Sequence, residues 1–123
     1  MALEVAKELE ARGCSVAVIN PRCVKPLDGD TISFFARSAD VVVTMEDHVL
    51  SGGFGSAVLE DLSARGLQVP VVRIGWPDAF VDHGKPDALR AKAGISVAAA
   101  VEKSLPYLQK AKPATKSAPK VVA

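Results

Sequence analysis

Two periods of apolar spacing alternate along the chain. Ala2, Val5, Ala6 and Leu9 recur at helical spacing, with Glu4, Lys7, Glu8 and Arg12 mostly opposite. Gly13 ends this helix. Cys14 to Ile19 is a short apolar, β-branched run, expected as a buried strand and stopped by Asn20-Pro21. Asp28 is placed to cap a second helix, with Asp30 in its first turn and Ile32, Phe35, Ala36 and Ala39 as its apolar face. Val41 to Met45 is the strongest strand signal. An acidic turn and glycine-rich loop, Glu46 to Gly55, lead into a third helix carrying Phe54, Val58, Leu59 and Leu62 and ending near Arg65-Gly66. Val69 to Ile74 is a third strand, where Pro70 suits a first position or an edge. Lys85 to Ala93 and Ser96 to Gln109 read as helices, the second broken or kinked at Pro106.

Strands with continuous apolar character, separated by helices, predict a three-layer α/β/α domain with a mostly parallel sheet. The domain is expected over residues 1–109. Residues 110–123 are rich in Lys, Pro and Ala and are expected to be a disordered tail. The pattern opens on a helix and yields only three convincing strands. A first strand is therefore expected to be missing at the N-terminus, leaving a gap or an exposed edge in the sheet that favours aggregation or dimerisation.

Composition narrows the partners. The 123 residues carry a net charge of +1, which argues against nucleic acid as a partner, since phosphate binding usually needs a basic excess. Four Phe, one Trp and one Tyr supply no base-stacking set. No apolar run approaches the ~20 residues of a membrane span, and no signal peptide is visible, so a cytoplasmic location without membrane contact is expected. Cys14 and Cys23 are too far apart for a CxxC pair and read as ordinary thiols.

Three groups of residues invite chemistry. Gly52-Gly53-Phe54-Gly55-Ser56 follows a strand and opens a helix, where free amides hold anions; the competing reading is a tight turn that needs glycine. Its spacing is neither GxGxxG nor a Walker loop. Glu46, Asp47 and His48 lie past a strand's C-terminal end, the edge at which open parallel sheets bind ligands, and a His beside two carboxylates suits general acid–base work. The alternatives are loop solvation or contact with a neighbouring domain or subunit. Arg22 and Lys25 sit past the first strand, suited to an anion or to acidic residues of another domain. His83, with Asp82 and Asp78, has no metal-ligand spacing and reads as surface loop. Trp76 suits an interface anchor if exposed and core if buried.

Three stretches, taken in order, resemble one family. Val18-Ile19-Asn20-Pro21-Arg22-Cys23-Val24-Lys25-Pro26-Leu27-Asp28 is similar to an R-x-x-K-P-L-D segment of transketolase-like C-terminal domains. Val43-Thr44-Met45-Glu46-Asp47-His48, continued by Gly52-Gly53-Phe54-Gly55-Ser56, is similar to their VT-x-E and GG-x-GS segment. Val71 to Gly84, with Gly75-Trp76-Pro77-Asp78 and His83-Gly84, most resembles the form found in 1-deoxy-D-xylulose-5-phosphate synthases. The likeness runs over roughly residues 2 to 108. Cys23 and Trp76 depart from the usual residues, and Gly29 weakens the start of its helix by ~1 kcal/mol if it lies inside.

The resemblance implies the C-terminal domain of a homodimeric transferase. That enzyme uses thiamine pyrophosphate and Mg2+ to join pyruvate and glyceraldehyde 3-phosphate for isoprenoid, thiamine and pyridoxal synthesis. It places the cofactor site in the other domains, so this chain is expected to bind no cofactor or metal and to be inactive alone. Its role would be structural, with the remaining synthase domains and a second subunit as partners. The family's placement of its chemistry elsewhere favours the interface reading of Glu46, Asp47 and His48. Two alternatives stand beside this: the C-terminal domain of another thiamine-dependent transketolase or 2-oxo acid dehydrogenase, and a stand-alone anion-binding or assembly module.

Overall fold

A computed structural model describes residues 1–108 and 120–122. The elements are α1 (Ala2–Glu10), β1 (Ser15–Ala17), α2 (Gly29–Ala36), β2 (Val41–Val49), α3 (Phe54–Ala64), β3 (Val71–Trp76), α4 (Pro86–Lys92), α5 (Val97–Leu108) and β4 (Lys120–Val122). The four strands form one parallel sheet in the order β1-β4-β2-β3. The expected α/β/α layering is present.

The pleat of β2 assigns the layers. Val41 and Val43 point to one face, where they pack with Val5 and Leu9 of α1, Val72 and Ile74 of β3, and Ala100, Val101 and Leu108 of α5. Val42 points to the other, among Ile32 and Ala36 of α2 and Val58 and Leu62 of α3. Successive strand residues face opposite sides, so a strand covered on both faces must be apolar throughout. That is the physical content of the Val41-Val42-Val43 run, whose members are all buried.

Local chemistry sets the helix ends. Asp28 caps α2 as expected: its Oδ1 accepts the Thr31 amide at 3.1 Å. This backbone hydrogen bond lowers the Asp28 pKa. Gly29 costs helix propensity but provides room. A Cβ there would lie 2.5 Å from Arg65 Nη2 and from Asp61 Oδ2. Arg65 at the end of α3 pairs with Asp61 and with Asp30 of α2, both at 2.8 Å, and so ties the two helices together.

Several expectations change. β2 continues through the acidic residues to Val49, because the Leu50 amide still reaches the Trp76 carbonyl at 2.9 Å across an irregular stretch of the β2–β3 ladder. Pro70 lies just before β3, where it needs no amide and its carbonyl accepts from Val42 at 2.9 Å. Pro106 lies inside α5, which continues to Leu108. The expected sheet gap is not open: Lys120–Val122 pair with Ser15–Ala17 on one side and Val41–Val42 on the other. The expectation of a tail without structure is thus corrected over these three residues. They are held by a distant backbone slot and not by local propensity. The rest of the expected tail, 110–119 and 123, lies outside the described residues.

The α1–β2–α5 layer makes the first prediction. Leu9 is fully buried, so Leu9→Ala should lower unfolding free energy by about 3 kcal/mol. Urea unfolding followed by circular dichroism measures it, and a loss below ~1 kcal/mol would contradict this packing.

Candidate functional site

The candidate residues gather at the C-terminal edge of the sheet, where β2 and β3 give way to loops. The same alternation that sorts the core separates Glu46 from Asp47. Glu46 falls on the α2–α3 side and Asp47 on the other.

Glu46 reaches the N-terminus of α3. Its Oε2 accepts the Phe54 amide at 2.6 Å and its Oε1 accepts the Gly55 amide at 2.9 Å. A carboxylate on two free amides at the positive end of a helix is a charge-assisted cap. The glycines make the approach possible. A Cβ on Gly55 would lie 2.6 Å from Thr44 Oγ1 and 2.8 Å from Arg73 Cδ, and one on Gly53 would collide with the Glu46 carboxylate. The amides that the sequence offered to an outside anion are therefore occupied by a side chain of this chain.

Ser56 completes the loop from the helix side. Its hydroxyl accepts the Gly52 amide at 3.1 Å and donates to the Leu50 carbonyl at 2.9 Å. Arg73, projecting from β3 onto the same face, donates Nη1 to Leu50 O at 3.0 Å and to Ser56 Oγ at 3.1 Å. Arg73 was not among the sequence candidates. Its signal is a single cation at the α3-facing register of an otherwise apolar strand.

Asp47 joins a different group. Its Oδ1 accepts the Trp76 indole N–H at 2.7 Å and its Oδ2 accepts Arg90 Nη2 of α4 at 2.7 Å. These bonds, Arg90 first and Trp76 second, hold the Asp47 carboxyl below its ordinary pKa. Trp76 answers both halves of its expectation: it is half-buried, packs against the α1–α5 core and fixes its polar end on Asp47. Arg90 was also missed, because its partner lies 43 residues away in sequence.

His48 stands apart. Its ring is exposed, with Nδ1 3.0 Å from the Val49 carbonyl. Glu46, Asp47 and His48 thus have three separate sets of partners and do not form a His–carboxylate relay. Arg22 and Lys25 are exposed in the segment between β1 and α2. Arg22 takes a left-handed conformation, φ 55°, and its amide donates to Asn20 Oδ1 at 3.3 Å. Among the described residues, neither hydrogen-bonds to the glycine loop. His83 lies exposed between β3 and α4. Among the described residues, no three or more His, Cys, Asp or Glu are grouped to hold a metal ion, and no helix is long and apolar enough to cross a membrane.

Comparison with known proteins agrees with this frame. A family model described as the transketolase C-terminal domain matches residues 1–99. The chain is 60% identical over 109 residues to a 1-deoxy-D-xylulose-5-phosphate synthase of Methylacidiphilum infernorum, covering 89% of this chain and 17% of that protein. It is 55% identical over 113 residues to the synthase of Acidobacterium capsulatum, covering 92% of this chain and 18% of that one. A solved structure named as a split-gene transketolase, an inactive β4 tetramer, superposes with a TM-score of 0.80 at 38% identity, over 90% of this chain and 36% of that one. The chain therefore spans less than a fifth of the length of these two synthases.

Two predictions come from the edge. Glu46→Ala removes both acceptors at α3 and should cost about 2 kcal/mol, read by urea unfolding; an unchanged midpoint would contradict the cap. Asp47 has a lowered folded-state pKa, so its contribution is present above the unfolded-chain value and is lost as pH falls through the lower folded one. Asp47→Asn should therefore flatten the stability–pH curve below about pH 4. An unaltered acid limb would contradict the Arg90 and Trp76 bonds.

Proposed function

Because the chain belongs to the transketolase C-terminal domain family, we propose that it serves as the C-terminal domain of a 1-deoxy-D-xylulose-5-phosphate synthase. Its task there is to support the assembly of the other domains and of a homodimer. The observation that carries this reading is high identity to two named synthases along almost the whole chain, matched to so small a share of their length. By family resemblance, the whole enzyme uses thiamine pyrophosphate and Mg2+ to join pyruvate and glyceraldehyde 3-phosphate.

The described residues do not fit that cofactor. A diphosphate needs free donors, and Glu46 already holds the amides of Phe54 and Gly55. Magnesium needs converging oxygen ligands, while Glu46 and Asp47 have other partners. The same occupation weighs against the stand-alone anion-binding module. For another thiamine-dependent enzyme, the 38% identity to the split-gene transketolase supports a shared fold, but identity to the synthases is higher.

Exposed apolar side chains supply the contact surface in this reading. Phe80 is fully exposed beside Val81 in the loop after β3, and Phe34 projects from α2 at 71% exposure. Such side chains suit burial against neighbouring domains or a second subunit.

The test is the gene product in its source cells, isolated with an antibody to this region. We expect a mass several times that of this chain, with synthase activity in the same fraction. An inactive product of this chain's own mass would overturn the assignment. The purified chain, given thiamine pyrophosphate, magnesium and both substrates, is expected to form no product, and turnover would contradict the structural role.

A further inference from the structure

The segment between β3 and α5 is tied to the fold by few groups. From Pro77 to Ala88 every residue is exposed, and α4 buries none of its side chains. A helix of seven residues is too short to hold itself in water. Many of its contacts are its own. The Leu89 amide donates to the Lys85 carbonyl at 3.1 Å and the Ala93 amide to the Leu89 carbonyl at 2.9 Å. Leu89 packs on Gly84, where a Cβ would lie 3.3 Å from its Cδ2. Hollow space lies on both sides of α4. A cavity of about 170 Å³ is shared by Trp76, Phe80 and Leu89, and one of about 420 Å³ by Arg90, Met45 and Ile95. Little close packing is therefore lost when the segment moves. Arg90 carries the segment across to the sheet. Its Nη2 donates to Asp47 Oδ2 at 2.7 Å, and the Trp76 indole holds the other oxygen of that carboxylate. At the far end, Gly94 takes φ 72° before Ile95 returns to the core.

We propose that residues 77–94 form a clasped strap, a unit that opens from the end of the sheet and closes again while the core stays folded, with Asp47 as its catch. Segments with few buried apolar contacts and exposed backbone hydrogen bonds open at a lower free energy than the core. The core is continuous without the strap: β3 ends at Trp76 and α5 begins at Val97, with Ile74 and Ile95 buried on either side. Opening parts the Arg90 guanidinium from Asp47 and lifts Ala93 from the α1–α5 core against which it packs. It uncovers Met45, Ile95 and the indole of Trp76. The strap thus decides whether this end of the α1–α5 layer is covered or displays apolar side chains. Its other ion pair, Lys92 with Asp82 at 3.5 Å, lies within the strap between side chains 75% and 82% exposed. Such a pair contributes little and does not reach the sheet. This inference does not rest on the synthase reading.

The test is amide hydrogen exchange of the intact chain in low urea, read residue by residue by NMR. The Ala93 amide reports the strap, and the Val42 amide, bonded to the Pro70 carbonyl at 2.9 Å, reports the core. Ala93 should be less protected than Val42 by about tenfold or more. Its exchange should also respond less steeply to urea, because a local opening exposes little surface. Asp47→Asn should speed Ala93 exchange about fivefold, the upper end for a partly exposed ion pair, and keep its shallow urea dependence. Arg90→Gln breaks the catch from the strap's side and should do the same; it decides should Asp47→Asn not fold. Asp82→Asn should leave Ala93 exchange unchanged. Equal protection and equal urea dependence of Ala93 and Val42 would overturn the proposal, because the segment would then open only with the whole fold. So would faster exchange at Val42 with none at Ala93 in the Asp47 and Arg90 variants, or an Asp82→Asn effect as large as theirs.

Discussion

The period-two pleat of β2 is the constraint on which the rest depends. One strand supplies Val41 and Val43 to the α1–α5 layer, Val42 to the α2–α3 layer, Glu46 to the α3 cap and Asp47 to the Trp76–Arg90 group. A shift of one residue in register would exchange every one of these assignments. It would place Asp47 toward α3 and turn Glu46 toward Trp76. The Pro70 carbonyl on the Val42 amide and the Trp76 carbonyl on the Leu50 amide pin the two ends of that register.

From this follows the character of the C-terminal edge. Open parallel sheets usually receive ligands there, and the sequence offered amides, carboxylates and a histidine in the expected place. The structure spends most of them internally. Glu46 takes two amides, Ser56 takes one amide and gives its proton to a carbonyl, and Arg73 closes the loop from below. A ligand anion at α3 would first have to displace a carboxylate that is tethered to the same fold. Tethering raises the local concentration of the internal anion far above that of a free one. The glycine segment is thereby explained as a packing requirement, with Gly53 and Gly55 admitting Glu46, Thr44 and Arg73 at distances no Cβ allows.

Much of the fold was legible because it is written locally. Val41 to Met45, the Asp28 cap and the helical face of α1 each rest on neighbours within a few residues. The parts that were not legible depend on distant partners. Nothing near Glu46 to Val49 shows that the strand continues, because the partner is the end of β3. Arg73 and Arg90 gain meaning only through Ser56 and Asp47. Lys120–Val122 lie in a Lys-, Pro- and Ala-rich stretch with little strand signal, and they are ordered by two strands roughly 80 and 100 residues earlier. Glu46, Asp47 and His48 lie at the end of β2, but their division into separate groups follows from the pleat and from α4, neither of which spacing alone reveals.

At the loop edge, polar side chains are numerous and matched. Glu46 holds the amides of Phe54 and Gly55, and Asp47 holds the Trp76 indole and Arg90. A carboxylate bonded twice gains little from a further partner, because each new bond first replaces an existing one. The two carboxylates serve different layers of the same sheet, Glu46 toward α3 and Asp47 toward α4. Adjacent in sequence, they are separated by the pleat, so a change at one leaves the partners of the other in place. The charge that looks like one cluster along the chain is therefore two independent clasps, each closing a different helix onto the end of the sheet.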